Sequence, residues 1–547
     1  MSEAPMHPDS RRSFVVRSGA ALAALAGAPA MRLRRADHDL VIRGGEVFDG
    51  LGAPGMQRDV AVSAGRIEAI ATRIAGRGTE EIDARGLAVT PGFIDMHSHA
   101  DGSLDEDARA ESAIRQGITT IVAGQDGGSR ASGAEQGERG SFAAMFATID
   151  RLQPGVNVAS MIGLGTVRGA VIGAGDRPAT PGELEQMTAM VARALADGAC
   201  GASSGLEYTP GAFASREELI ALCAPLRARG LPYATHMRNE DDRLLDSIDE
   251  SIAVAAGAGC PLQISHLKTQ GPRNWGRLDD AFARIERARR DGLDVTFDRY
   301  PYVAYSTGLT NLFPVWSRDG GTGGFFARLD DPAVAARIRA EVLAKVELIG
   351  GWENVQISSV RAAEDRAAEG RRLGSHAKAI GAEPYATAVA LLRRSEGRVG
   401  MLGFAMSEEN LERILAHPLA MVCTDGGGFA ADGPTRRGSP HPRGTGSFAR
   451  VLGRYVRDRK AMPLAESVRK MTSLPASRIR LADRGRLAPG AAADLVVFDP
   501  VAIADRATFE DPFQYPAGML AVVVNGAVAL REGERRPGRG RTLRPSA

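Results

Sequence analysis

Pro91-Gly92-Phe93-Ile94-Asp95-Met96-His97-Ser98-His99 is an apolar run that ends in two histidines spaced by one residue. In an extended strand, residues two apart point to the same side. Asp95, His97 and His99 therefore share one face, and Met96 and Ser98 take the other. Two imidazoles so placed can grip one metal ion. Working outward, the same arrangement of a short β-rich run closed by a polar residue recurs along the chain. Ala88 to His97, Ile118 to Gly124, Val156 to Gly163, Gly198 to Ser204, Pro232 to His236, Leu262 to His266, Val295 to Asp298 and Ala420 to Asp425 make eight such runs, with helical stretches between them. That alternation predicts an α/β fold, a TIM-like (β/α)8 barrel of parallel strands. Closed barrels of this kind carry their active sites at the C-terminal ends of the strands. Thr235-His236-Met237-Arg238, Ile264-Ser265-His266-Leu267-Lys268 and Thr424-Asp425-Gly426 fall at such ends.

The 547 residues, 44% hydrophobic and 24% charged, exceed what one layered core holds. Short strands with glycine turns occur at both ends, as in Leu40 to Asp49, Asp59 to Val62, Arg66 to Ile70, Ala493 to Asp499 and Ala521 to Gly526. They predict a small β-sandwich built from residues 37–90 plus 485–547, bracketing a catalytic barrel over 91–484. Roughly a hundred residues separate the seventh and eighth runs, so an insertion is expected at about 300–400, with Val355 to Val360 as an added strand. A segment that long at a barrel mouth shapes or covers the substrate site.

A net charge of +2 without long runs of one sign gives no reason to expect nucleic acid or a membrane surface as partner. A small-molecule substrate is expected instead. Cys200, Cys223, Cys260 and Cys423 form no C-x-x-C pair, so they read as buried thiols and not as a disulfide framework or zinc knuckle. Within residues 1–30, Ser10-Arg11-Arg12-Ser13-Phe14-Val15-Val16-Arg17 precedes an apolar stretch from Ser18 to Gly27 and the small-residue end Ala28-Pro29-Ala30. This predicts a twin-arginine export signal, the twin-arginine export machinery as a partner, and a periplasmic or secreted location. The apolar stretch is too short for a stable membrane span.

Hydrolysing an amide near neutral pH needs a nucleophile stronger than water and relief for charge building on the carbonyl oxygen. A divalent cation supplies both, and histidine nitrogens suit zinc. The chain also resembles the amidohydrolase superfamily and, within it, the N-acyl-D-amino-acid deacylases (D-aminoacylases). The likeness runs from about Asp39 to Asn525. It rests on Pro91 to Asp101, Ser203-Ser204-Gly205-Leu206-Glu207-Tyr208, Thr235 to Glu240, Ile264 to Lys268, Asp298-Arg299-Tyr300-Pro301-Tyr302 and His441-Pro442-Arg443.

The resemblance implies that His97, His99 and Asp425 hold one metal position and His236 and His266 a second, for one or two zinc ions per subunit. It implies that Asp425 takes a proton from the attacking water and passes it to the departing nitrogen. Family members bridge the two positions with a cysteine in a G-N-C-G-like turn; here the stretch is Gly124-Gln125-Asp126-Gly127-Gly128, so Asp126 stands where the thiolate would be. A carboxylated bridging lysine is excluded, because the first lysine in the chain is Lys268. Lys268, Tyr300, Ser306 and Arg443 match positions that bind the substrate carboxylate, with Tyr208, and Glu207 beside it, lining the pocket. The loop from Gly426 to Pro440 is longer than the family pattern. His7, His38, His376 and His417 lie outside any such context. The implied activity is release of a carboxylate and a D-amino acid from an N-acyl-D-amino acid, the enantiomer following from the resemblance alone. Hydrolysis of a cyclic amide, as by hydantoinases, or of an isoaspartyl dipeptide is the second enzymatic reading. A barrel that has kept its fold as an inactive binding protein is the third.

Overall fold

The structure, a computed structural model, describes residues 36–134 and 140–546. The expected export signal lies outside them. Eight strands form the barrel: β1 (Phe93–Asp95), β2 (Ile118–Ala123), β3 (Asn157–Ser160 running on into Ile162–Gly163), β4 (Ala202–Gly205), β5 (Tyr233–His236), β6 (Leu262–Ile264), β7 (Val295–Arg299) and β8 (Ala420–Val422). Each pairs in parallel with the next from β1 to β8. The ring closes just past the strand ends, where Asp425 N–H donates to the His97 carbonyl at 2.8 Å and His99 N–H to the Gly426 carbonyl at 2.9 Å. The (β/α)8 barrel read from the sequence is thus present, and its seam runs through the histidine motif.

Two of the eight runs are divided. Ala88–Pro91 belongs to another sheet, and only after Gly92 does the chain enter the barrel as β1. A Cβ at Gly92 would lie 2.2 Å from Thr119 Oγ1, so the crossing needs a residue without a side chain. The third run breaks at Met161. Met161 N–H still bonds Ala123 on β2, while Ile162 N–H turns to Gly201, leading into β4. Gly124 faces this break at φ 71°, and a Cβ there would meet the Met161 carbonyl at 2.0 Å.

The two chain ends build one hydrogen-bonded sheet of nine strands. In spatial order these are 534–535, 527–531, 519–524, 495–498, 88–91, 38–47, 56–63 and 66–71, with 78–83 paired in parallel to the 38–43 part of 38–47. Leu40, Val60, Ile82, Leu495 and Val523, drawn from both ends, share one apolar core. Asp494 ties this sheet to the barrel. Only 5% exposed, it is paired with buried Arg484 and accepts from Asn157 Nδ2 of β3 at 3.1 Å and from Asn525 N–H at 2.7 Å.

Between β7 and β8 the chain makes an antiparallel sheet of 304–308, 399–404 and 355–360. Helices such as Pro332–Leu348 and Pro384–Arg394 cover it. Its own core contains Tyr305, Leu312, Val342, Ile357 and Leu391. The strand expected at Val355–Val360 is present, and the strands on either side of it in the chain, 304–308 and 399–404, are additions to the sequence reading. Among the described residues no helix is long and apolar enough to cross a membrane.

Replacing Asp494 with alanine takes the buried carboxylate from the Arg484 guanidinium, which keeps the Asn525 amide oxygen at 2.8 Å. The variant is expected to lose about 3 kcal/mol of stability, seen as a lower denaturation midpoint by circular dichroism.

Candidate metal centre

The site is assembled from strand ends. His97 and His99 follow β1, Asp126 follows β2, Glu207 and Tyr208 follow β4, His236 closes β5, His266 follows β6, Asp298 lies in β7 and Asp425 follows β8. Asp126, His266 and Asp425 all sit in the left-handed region, at φ 52°, 36° and 48°. Non-glycine residues rarely adopt it, and such strain gathers where a side chain must be aimed.

Two groups of ligand atoms share Asp126: His97, His99, Asp126 and Asp425 in one, and Asp126, His236 and His266 in the other. His97 Nε2 is 3.4 Å from Asp126 Oδ1 and 3.5 Å from Asp425 Oδ1. His99 Nε2 is 3.4 Å from Asp126 Oδ2 and 3.2 Å from Asp425 Oδ1. On the other side, His266 Nε2 is 3.6 Å and His236 Nδ1 3.8 Å from Asp126. The strand alternation put Asp95 with the histidines, but its side chain turns to β8, where Thr424 N–H and Oγ1 donate to it at 2.8 and 2.5 Å. Burial raises the Asp95 carboxyl to about 6 against those bonds.

A second ring of carboxylates fixes the imidazoles. His236 Nε2 faces Glu207 at 3.3 Å, and His266 Nδ1 faces Glu240 at 3.1 Å. With a proton on each of these nitrogens, His236 Nδ1 and His266 Nε2 are bare lone pairs 3.0 Å apart. Two acceptors at that distance repel unless a positive charge lies against both, which is the demand a cation satisfies. His97 Nε2 and Asp126 Oδ1 point the same way: both are buried with no hydrogen-bond partner. Behind His97, Asp298 Oδ1 is 3.4 Å from Nδ1 and also accepts the His266 N–H at 2.8 Å. Burial opposes a charged His99, yet Asp126 and Asp425 hold its pKa at about 9. Burial also resists ionisation of Asp126, but His97 and His266 outweigh it and keep the carboxyl well below its usual range. The donor set of imidazoles and carboxylates fits one or two zinc ions.

Arg443 NH1 reaches Asp425 Oδ2 at 2.6 Å, so the long loop after Gly426 returns the guanidinium to the metal cluster. His441 sets it there, its Nδ1 accepting the Arg443 N–H at 2.9 Å. Tyr300 is fully buried with Arg299 4.2 Å and Arg443 4.6 Å from its ring centre, and its hydroxyl is unpartnered. Ser306, Tyr208 and Arg443 line the mouth, a cavity of about 850 Å³ that also exposes His99, Asp126 and Asp425. Lys268 is placed differently. Its ammonium lies 2.6 and 2.7 Å from the two Glu240 oxygens, which engage two of its donors, and the protonated His266 Nδ1 shares the same Glu240 carboxylate.

The model described as the amidohydrolase family matches residues 80–530. The chain belongs to the amidohydrolase family. It is 37% identical over 518 residues, 92% of this chain and 96% of the relative, to an N-acyl-D-glutamate deacylase of Alcaligenes xylosoxydans. A D-aminoacylase of the same organism is 35% identical over 508 residues, 90% of this chain and 95% of that one. Among solved structures, an N-acyl-D-glutamate deacylase from Bordetella bronchiseptica, complexed with zinc and a phosphonate mimic of the tetrahedral intermediate, matches with TM-score 0.80 at 34% identity. That match covers 93% of this chain and 99% of that one.

Within this amidohydrolase, the sequence reading had assigned no role to Glu240, Asp298 or Lys345. Glu240 and Asp298 were visible only as members of motifs, at a strand end or just after one. Lys345 comes from the insertion helix Pro332–Leu348 and lines the inner recess with its Nζ on Asp241 at 2.5 Å. Of the histidines set aside, His38 pairs with Glu68, and His417 packs on Phe282 and Phe297. All four cysteines are buried and free.

Asp126→Ala removes the one carboxylate shared by both groups. The variant is expected to retain fewer zinc ions per chain after dialysis, by elemental analysis of the folded protein.

Proposed function

We propose that the chain hydrolyses the amide bond of N-acyl-D-amino acids, giving a carboxylate and the free D-amino acid. One observation carries this reading: two groups of imidazole and carboxylate donors meet on Asp126 beside Arg443 and Tyr300, in a chain most of whose length aligns with named deacylases. His97, His99 and Asp425 would hold one zinc position and His236 and His266 the other, with Asp126 between them. Zinc held there would activate a water and polarise the substrate carbonyl.

The chain's own groups do the rest. Asp425 accepts the proton of the attacking water and returns it to the departing nitrogen, its Oδ2 steadied by Arg443. Arg443 and the Tyr300 hydroxyl, with Ser306 beside them, receive the substrate's α-carboxylate. Tyr208 packs over His236 with ring centres 4.7 Å apart and screens that imidazole from solvent. Lys268 acts through Glu240, which sets the tautomer of His266. With Asp126 in the bridging place and no bridging lysine, a linear amide is favoured over the cyclic amides of hydantoinases. We further propose that residues 1–30 direct export by the twin-arginine route, which the Arg11-Arg12 pair and the apolar stretch after it support.

Zinc-loaded protein assayed on paired N-acetyl-D- and N-acetyl-L-amino acids is expected to turn over the D series. No turnover of either series, or preference for L, overturns the reading. Asp425→Asn should lower kcat by about 1000-fold or more while the protein stays folded. Lys268→Ala should lower kcat and zinc retention more than it raises KM, because its partners are Glu240 and His266. Arg11→Lys with Arg12→Lys should leave the protein in the cytoplasmic fraction.

A further inference from the structure

Three spaces meet at Tyr208, and two of them also at Asp126. The inner recess holds Lys268, Lys345 and Arg443 with Glu207 and Glu240, and is a place for charge. The mouth opens to solvent past Asp101, Asp105 and Arg130. The third is a side cleft of about 810 Å³ that starts at Asp126, Gly127 and Gly128 and runs away from Arg443. Its walls mix small and apolar residues, Gly169, Val171, Met190 and Pro210, with the uncharged polar Thr166 and Gln186, and Asp126, at the metal end, is the one charged residue among the described lining.

The cleft follows from the sequence of one helix, Leu164–Val171. Gly165 and Gly169 are four apart and fall on one face; at Gly165 the Gly127 backbone passes close, its carbonyl 2.9 Å from where a Cβ would lie, and at Gly169 the face is left without a side chain. A Cβ at Gly169 would have Pro210 Cγ at 3.5 Å as its one near neighbour, so the position is open and a larger side chain there would enter the cleft. The volume lies within the usual span of small-molecule pockets, roughly 300–1,000 Å³.

The two substituents of a scissile carbonyl must leave the metal cluster in different directions. The nitrogen side carries the carboxylate and goes toward Arg443 and Tyr300. The acyl side then has the charged, solvated mouth or the uncharged cleft, and burial of apolar surface favours the cleft. We propose that the cleft between the Leu164–Val171 helix and Pro210 binds the acyl chain, and that the preferred substrates carry an apolar acyl group well beyond acetyl in length. This rests on the deacylase reading above and names the substrate class for it. Gly169 and Ala170 are then specificity-determining positions.

The test uses zinc-loaded full chain and the N-acetyl, N-hexanoyl and N-decanoyl derivatives of one D-amino acid. Each methylene entering the cleft should raise kcat/KM by roughly two- to four-fold, so hexanoyl should exceed acetyl by about 10-fold or more, mainly through KM. In Gly169→Leu, and separately in the exposed-position variant Ala170→Phe, the hexanoyl-to-acetyl ratio should fall toward one. Acetyl turnover with flat or falling dependence on chain length overturns the cleft assignment alone. A ratio unchanged in both folded variants overturns it as well. Failure on all three substrates overturns the deacylase reading and this inference together.

Discussion

The organising constraint of the molecule is the mutual repulsion of electron-pair donors crowded together at the strand ends of the barrel. Glu207 and Glu240 take the outer nitrogens of His236 and His266, which leaves their inner nitrogens facing each other at 3.0 Å. Asp126 and Asp425 bring two more anionic groups to within hydrogen-bonding range of His97 and His99. Such an arrangement is costly without a cation and favourable with one. The backbone also stores strain here, at the three residues in left-handed conformation, and the barrel closes its ring through the same segment. Fold closure and site geometry are therefore one set of hydrogen bonds.

The remaining layers serve that centre. The terminal sheet anchors the start of β1 through Ala88–Pro91, and Asp494 ties it to β3. The insertion between β7 and β8 has a core of its own and carries Ser306, Thr307 and Lys345 to the site. The side cleft arises beside the helix after β3, where Gly169 leaves its wall without a side chain. Charge recognition and the proposed acyl recognition thus come from different parts of the chain.

What the sequence made legible was local. Histidines at the ends of short apolar runs, and an aspartate before three glycines, signal their roles within a few residues of chain, and the eight strands follow from the same alternation. Asp126 could be placed because its glycine-flanked turn occupies a known position after the second strand. What depended on distant partners was not legible. Glu240 is identified by Lys268 and His266, and Asp298 by His97 and the His266 backbone; neither relation has a spacing to read. The strand 304–308 is short and largely small or polar, 399–404 is an apolar run broken by Gly400 and Gly403, and the two pair only because the insertion folds on itself. The break of the first run at Gly92 required knowing that Thr119 packs against it. Lys268 lines the same recess as Tyr300, Ser306 and Arg443, the residues it was grouped with, and its bond to Glu240 is the part that no spacing reveals.

The central claim is tested most directly by X-ray diffraction at the zinc absorption edge from crystals of the zinc-loaded protein. The account predicts an anomalous peak bounded by His236 Nδ1, His266 Nε2 and Asp126, or by His97, His99 and Asp425, or by both sets. Imidazoles that remain in place with no anomalous peak among them, held by shared protons alone, would contradict it.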